Sequence, residues 1–421
     1  MLSEEDILTE VRDGSLFGVV VCDIRVPDNL KHRFKDFQPI LKHTMISRED
    51  VGEHMKTYCE KNDILKQPRS ALLGSYHATN HMVATDLLQW YLLEGFKVSN
   101  VTYVAQYLKR DCFSEFANRI MSMRRAADKD PALKTLAECF KLTGNSSYGK
   151  FLIDRSKFCD VQYYSQDDVD KISGLINGKF FRHLTYLEDV GMVEIESFKT
   201  YIKVDNPVLL GFTILERSKL ILLRFVHYFL DKYLDKSDYC LLECDTDSMY
   251  LALSGDEIFP LIKPELREEF SKEYGQWFAK DYCDEHSLAF FAMQFAGLGW
   301  YVDDCDSCKQ MQAYDLRQVG KFHLECKARG FVGLASKSYY CKGDDGDKFS
   351  AKGVNKSVNN IRFEDFKEVL TSLNPKMVTN RGFKTSNGKM YTYRQKKSGL
   401  SYFYGKRKVG EDGIHTYPTD L

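Results

Sequence analysis

The chain has 421 residues, a length that sets an expectation of roughly two to three domains. Its 59 Lys and Arg against 60 Asp and Glu leave a formal charge of −1. With 43% hydrophobic and 28% charged residues it can bury a core, which excludes intrinsic disorder and collagen-like repeats. No uninterrupted apolar run approaches the roughly 18 residues of a membrane span; the nearest, Pro207 to Leu215, leads into charged residues. The acidic N-terminus (Glu4, Glu5, Asp6) reads as neither a signal nor a transit peptide. Twelve Cys scattered singly suit an intracellular, reducing compartment better than a disulfide framework, without distinguishing nucleus from cytoplasm.

In chain order, Val19 to Ile24 is strand-like. Asp86 to Glu94 reads as a helix, with Thr85 able to cap it and Gly95 to stop it. Val98 to Tyr107 reads as a strand and Cys112 to Ala127 as a helix. A second helix follows, with Asp130 as N-cap and Pro131 at the first helical position. Thr213 to Leu234 reads as a long amphipathic helix. Tyr239 to Cys244 and Ser248 to Leu253 are β-prone runs bracketing Asp245-Thr246-Asp247, the pattern of a hairpin. From Pro375 to Gly410 there are ten basic residues and no acidic ones, interleaved with Phe383, Tyr391, Tyr393, Tyr402, Phe403 and Tyr404. Such a strip can neutralise phosphates and stack bases; it equally describes a solvated, Gly-broken β-hairpin.

The helix after Pro131 carries Lys141-Leu142-Thr143-Gly144-Asn145-Ser146-Ser147-Tyr148-Gly149. At about 100° per residue, Lys134, Lys141, Asn145 and Tyr148 fall within an arc of about 60°. Leu133, Leu136 and Phe140 cluster on another face, expected to pack into the protein. Two ammonium groups, an amide and a hydroxylated ring suit a nucleoside triphosphate; the same face also fits an ordinary solvated helix with a buried Tyr. At the hairpin, two carboxylates close together repel unless a cation sits between them. Oxygen-only ligands suit Mg²⁺ or Mn²⁺ rather than zinc, although a turn Asp pair is also common without metal.

Lys141-x3-Asn145-Ser146-x-Tyr148-Gly149 resembles motif B, and Asp245-Thr246-Asp247-Ser248 resembles motif C, of family B DNA polymerases. By average residue usage the first pattern arises by chance in roughly one chain of this length in ten thousand. Lys337-Ser338-Tyr339 is similar to the Lys-x-Tyr element that contacts the primer end in the protein-primed branch. The resemblance is to the protein-primed enzymes of viruses and of Maverick/Polinton-type transposons, and Leu73-Gly74-Ser75-Tyr76 and Gly399-Leu400-Ser401-Tyr402-Phe403-Tyr404 resemble the transposon type as well. The resemblance covers nearly the whole chain, as the C-terminal half of such an enzyme.

The resemblance implies an α+β fold, a polymerase palm of antiparallel sheet and helices with helical fingers and a mixed C-terminal thumb. Residues 1–111 would be palm, 112–150 fingers, 151–206 an insertion, 207–309 palm with motif C, and 310–421 thumb. It further implies that Asp245 and Asp247 are catalytic and hold two Mg²⁺ or Mn²⁺ ions. Lys141 would bind the incoming triphosphate, Tyr148 would pack under its sugar, Asn145 would support the site and Gly149 would allow close backbone approach. A further cation is either Lys129, which fits by sequence distance, or Lys134, which fits by helical face. Lys337 and Tyr339 would steady the primer end and template, and Lys396, Lys397, Lys406, Arg407 and Lys408 would meet DNA. The implied activity is DNA-directed DNA synthesis by two-metal nucleotidyl transfer. The implied partners are primer–template DNA, deoxynucleoside triphosphates and, by family analogy alone, a terminal protein as primer.

Two departures stand out. Motif A of the family, D-x-x-S-L-Y-P, is missing: Asp13-Gly14-Ser15-Leu16-Phe17 mimics it, but the Asp is one residue too close to the Ser and no Pro follows. The exonuclease domain that precedes motif A in the family is missing too. A truncated gene model, a decayed element copy and half of a split enzyme all fit, and the expectation is that this chain alone cannot extend a primer. A DNA-binding remnant without catalysis is the non-enzymatic rival. Tyr301-Val302-Asp303-Asp304 looks like the reverse transcriptase signature, but Cys305-Asp306-Ser307-Cys308 replaces the apolar strand that should follow. Cys283-x2-His286 and Cys305-x2-Cys308, 18 residues apart, have zinc-ligand spacing, and His77-x3-His81 could form another pair on a helix.

Overall fold

The computed structural model describes residues 3–419 apart from 246, 301–304, 316–317, 345, 357 and 387–388. The chain opens with α1 (Glu4–Asp13), β1 (Gly18–Arg25), β2 (Ile40–Ile46), α2 (Glu53–Lys61), β3 (Arg69–Ser75), β4 (His77–Ala84), α3 (Thr85–Leu93) and β5 (Lys97–Gln106). Next come α4 (Ser114–Asp128), α5 (Lys134–Phe151), β6 (Cys159–Ser165), α6 (Val169–Ile176), β7 (Phe181–Leu187), β8 (Met192–Phe198) and α7 (Val208–Arg224). α7 continues through a π-helical stretch, Phe225–Leu230, into α8 (Asp231–Tyr233). The hairpin β9 (Tyr239–Asp245) and β10 (Ser248–Leu253) precedes α9 (Arg267–Trp277), α10 (Ser287–Phe295) and α11 (Asp306–Asp315). The remainder is β11 (Gly330–Ala335), β12 (Ser338–Lys342), β13 (Lys348–Ala351), α12 (Phe363–Ser372), β14 (Lys376–Ser386), β15 (Lys389–Leu400), β16 (Lys408–Val409) and β17 (Thr416–Tyr417).

The architecture is mixed α+β with small sheets of two or three strands, ordered β4-β1-β5, β2-β3, β6-β8-β7, β9-β10, β11-β12-β13, β14-β15 and β16-β17. Among the described residues β9 and β10 pair with no third strand. Two compact units are interleaved along the sequence: 1–145, 212–350 and 402–421 form the first, 146–211 and 351–401 the second. Residues 351–401 thus group with residues 146–211. No helix among the described residues is long and apolar enough to cross a membrane.

The first unit has two cores. One packs β1, with Val20, Cys22 and Ile24 at most 1% exposed, against Leu87, Leu88, Trp90 and Tyr91 of α3. The strand's continuous apolar run matches burial on both faces. The other is aromatic: Phe225, Phe229, Phe270, Tyr274, Phe290 and Phe291 pack with Met249, Leu251 and Leu253 of β10. The carboxylate hairpin is therefore mounted on that core. In the second unit, Ile172 of α6 packs on Val193 and Ile195 of β8.

Of the expected caps, those at Asp130 and Gly95 form, whereas Thr85 is the first residue of α3 and its hydroxyl accepts the Gly18 N–H at 3.1 Å instead of capping the helix. The Asp130 carboxylate accepts the Ala132 N–H at 2.8 Å, so the turn ahead of α5 starts where Asp-Pro places it. Gly95 ends the segment after α3 at φ +82°, a left-handed conformation that glycine adopts without strain. Two further expectations need correction, those for the His77/His81 pair and for Leu133 and Leu136. His77 and His81 lie on β4, opposite Arg25 and Cys22 of β1, not on a helix; pairing with β1 overrides the i, i+4 spacing. Asp13 closes α1, where Gly14 takes φ +81° and Asp13 Oδ1 accepts the Ser15 N–H at 2.9 Å. That stretch is a helix-ending turn and not a motif A strand. Leu133 and Leu136 are 39% and 44% exposed rather than packed inward, because α4 and α5 bury little beyond Ile120, Ala127 and Ala137.

Candidate active site at the Asp245 hairpin

β9 and β10 pair antiparallel with Asp245 opposite Ser248, Cys244 opposite Met249 and Glu243 opposite Tyr250. Strand alternation puts Glu243 and Asp245 on one face. The Asp245 side chain is 18% exposed, and Asp247, exposed at the tip, donates its backbone N–H to the Asp245 carbonyl at 2.7 Å. Thr246 lies outside the described residues.

Lys337 occupies the turn joining β11 to β12 and reaches this face twice. Its Nζ stands 2.6 Å from Asp245 Oδ1, and its backbone N–H donates to Glu243 Oε1 at 3.3 Å. Its carbonyl accepts the Ser350 hydroxyl at 3.0 Å. The residue holds φ +62°, a left-handed conformation that costs a non-glycine residue roughly 1–2 kcal/mol. Such strain persists only where surrounding contacts over-determine it, and the two carboxylates supply those contacts. The Asp245 hydrogen bond is the main reason the Lys337 ammonium is held above its ordinary range.

Two residues on, Tyr339 is buried and shares a hydrogen bond with Tyr250, hydroxyl to hydroxyl at 2.6 Å. Phe331 stacks on the Tyr339 ring. Burial pushes the Tyr339 hydroxyl well above its usual range, so it stays protonated and can donate. Lys348 sits over the Tyr250 ring, 5.5 Å from its centroid, and pairs with Glu325. That hydrogen bond from Lys348 holds the Glu325 carboxyl low, and the charges of His323 and Lys141 act in the same direction. Lys141 therefore lies within electrostatic reach of Glu325.

Glu243, absent from the expectations, is the most perturbed carboxyl of the group. Burial pushes it up to about 7; the Lys337 N–H opposes the shift and the Asp245 charge adds to it. The folded state thus keeps a proton that the unfolded chain gives up near 4.5, and Glu243's contribution to stability declines as the pH rises from about 4.5 to about 7. Glu243→Gln, equal in size and untitratable, is expected to melt close to the parent near pH 5 and above it near pH 8. A melting difference that stays flat across that range would show that Glu243 is already ionised.

The other expected residues divide. Lys406 lies within electrostatic reach of Glu243. Arg407 is a correction to the DNA-facing strip: its guanidinium donates to the Thr416 hydroxyl at 2.9 Å and the Lys35 carbonyl at 2.9 Å, anchoring the C-terminal hairpin. Lys408 is exposed on β16. Lys396 and Lys397 pair opposite Thr379 and Val378 on the β14–β15 hairpin of the second unit, whereas Lys406 and Lys408 belong to the first. Lys129, Lys134, Lys141 and Asn145 are exposed in the first unit, and nothing in their placement chooses Lys129 over Lys134. Tyr148 and Gly149 belong to the same helix but to the second unit, and a Cβ on Gly149 would meet nothing within 4 Å.

Cys283, His286, Cys305 and Cys308 converge elsewhere in the first unit. Tyr301-Val302-Asp303-Asp304 lies outside the described residues. Sequence reading also missed Tyr250; the usable signals were position, Glu243 two residues before Asp245 on one strand face and Tyr250 opposite it. No family model matches the chain, and neither a curated protein nor a solved structure matches it.

Proposed function

We propose that the chain is the palm, fingers and thumb portion of a protein-primed family B DNA polymerase, working in template-directed DNA synthesis. The observation that carries this is the 2.6 Å ion pair between Lys337 and Asp245. These residues are far apart in sequence, and the resemblance assigns one to the primer end and the other to the catalytic cation, two points that must be adjacent for the chemistry. The Tyr250–Tyr339 hydrogen bond supports the reading from the same two elements.

The primer 3′-hydroxyl attacks the α-phosphorus of a deoxynucleoside triphosphate in line; the new P–O bond forms as the bond to the β-phosphate oxygen breaks and pyrophosphate leaves. Asp245 and Asp247 offer oxygen donors of the kind Mg²⁺ and Mn²⁺ take; bound there, the ions supply charge stabilisation to the attacking and leaving oxygens. Lys141 neutralises the triphosphate and Asn145 supports it, both within the first unit; the sugar-packing and close-approach roles that the resemblance gives Tyr148 and Gly149 rest on the resemblance alone. Lys337 neutralises Asp245 and then exchanges that partner for the primer's phosphate. Tyr339, protonated and buried, orients the primer end. Positioning and charge neutralisation supply most of the rate.

A DNA-binding remnant without catalysis is the second reading, favoured by Asp13 sitting in a helix-ending turn, so that it offers no motif A carboxylate. Primer extension with Mg²⁺ separates the readings. The chain alone is expected to incorporate nothing, and adding a separate polypeptide that carries D-x-x-S-L-Y-P is expected to restore incorporation. Gel-shift binding without incorporation in the mixture would leave the remnant. Robust incorporation by the chain alone, abolished by Asp247→Ala, would overturn the expectation that it is incomplete.

A further inference from the structure

We propose that Cys283, His286, Cys305 and Cys308 bind one Zn²⁺ ion as a closed, structural Cys₃His site, independent of whether the chain catalyses anything. Their donor atoms all lie within 4.8 Å of one another. Cys283 Sγ is 3.2 Å from His286 Nδ1 and 3.9 Å from Cys305 Sγ, and Cys308 Sγ is 3.5 Å from His286 Nδ1. A tetrahedron with Zn–S of about 2.3 Å and Zn–N of about 2.0–2.1 Å has edges of about 3.8 Å between sulfurs and about 3.5 Å between sulfur and nitrogen. The observed separations match those edges. They are far too long for a disulfide, whose sulfurs lie about 2.05 Å apart, and all four positions carry free thiols or imidazole.

The surroundings suit thiolates. The Cys283 N–H donates to Cys308 Sγ at 3.2 Å and the Cys308 N–H to Cys305 Sγ at 3.4 Å. Donors of this kind disperse charge on metal-bound sulfur. Each half of the site is an i, i+3 pair on one turn: Cys283 and His286 frame the turn entering α10, and Cys305 and Cys308 frame the first turn of α11. Ordinary core cysteines face apolar neighbours; here three sulfurs and a ring nitrogen face one another. Four protein donors leave no open position, which marks a structural rather than a catalytic ion.

The ion would brace the fold at a defined place. Cys308 is fully buried within the aromatic core that carries β10. From there α11 runs to Tyr314, whose carbonyl accepts Arg125 Nε at 3.1 Å and whose ring lies 4.3 Å from the Arg125 guanidinium. Zinc would thus pin α11, and through Arg125 the helix α4, to the core behind the Asp245 hairpin.

The test is metal analysis of the full chain purified without chelators, with zinc release by a thiol-reactive mercurial as a second readout. About one zinc per chain is expected, with loss in Cys305→Ser and Cys308→Ser and retention in His286→Cys, since four thiolates bind zinc equally well. Cobalt reconstitution should give the visible bands of a tetrahedral thiolate complex. If the Ser variants fail to fold, His286→Cys and chelator titration of the parent chain decide, because zinc loss must coincide with loss of near-UV dichroism. A folded parent free of zinc, iron in its place, a disulfide among these cysteines, or zinc retained in Cys283→Ser/Cys305→Ser would each overturn the proposal.

Discussion

Asp245→Asn and Asp247→Asn, made singly, are expected to lower primer-dependent incorporation on the order of 10³-fold each in the mixture that supplies D-x-x-S-L-Y-P on a second polypeptide. Cation stabilisation of a phosphoryl transition state is worth several kcal/mol, and about 1.4 kcal/mol is tenfold in rate. Asn keeps the shape of each side chain and removes only its charge, so the hairpin register, with Asp245 opposite Ser248, is expected to stand. On the proposed function, DNA affinity by gel shift should hold or tighten, because a negative charge has left the surface proposed to meet phosphates. Lys337→Ala should act in the opposite sense on the two ligands. Without the ammonium 2.6 Å from Asp245, Mn²⁺ should bind more tightly, while the KM for primer rises. Undiminished incorporation in either Asn variant would remove that carboxylate from the chemistry. Equal weakening of cation and primer binding in Lys337→Ala would mean that the lysine only holds the turn.

The hairpin was legible because its information is local: alternating β-prone residues around a short polar tip leave few other structures, and β9 and β10 formed there. The Asp130-Pro131 start of α5 is local in the same way. What failed required knowledge of a third body. The apolar row Leu133, Leu136 and Phe140 has helical periodicity, but periodicity does not say whether another layer exists to cover it, and Leu133 and Leu136 stay exposed. His77 and His81 have helical spacing, yet the neighbouring strand β1 decides their conformation. Arg407 lies in a run of cations that suggests DNA, but the carbonyl of Lys35, distant in sequence, takes its guanidinium. Glu243 was invisible because a carboxyl near a strand end is ordinary until burial and the Lys337 turn surround it. The pairing of Lys337 with Asp245 and the meeting of the two Cys/His pairs are both long-range events that motif spacing allows without requiring.

Phe270→Ala is expected to destabilise the first unit by about 3–5 kcal/mol, the range for removing a fully buried phenyl ring. Phe270 has no exposed surface, and its ring lies 5.4 Å from Tyr233, 5.7 Å from Phe259, 5.8 Å from Tyr274 and 5.9 Å from Phe229. Neighbours on several sides limit collapse into the void, which places the cost toward the upper end. Two interleaved units make a single unfolding free energy ambiguous, but Trp90, Trp277 and Trp300 all belong to the first unit. Tryptophan fluorescence in a urea titration therefore follows that unit selectively. The midpoint should fall with little change in slope, whereas Leu288→Ala, at a side chain 88% exposed, should stay within about 0.5 kcal/mol of the parent. Because Met249, Leu251 and Leu253 of β10 pack on the same core, the lost ring also loosens the strand behind the two carboxylates. Phe270→Ala should then weaken Mn²⁺ binding below the unfolding midpoint, although it touches neither Asp245 nor Asp247. A stability loss under about 1 kcal/mol would mean that the rings around Phe270 repack, and unchanged cation affinity would mean that the hairpin does not depend on the core beneath it.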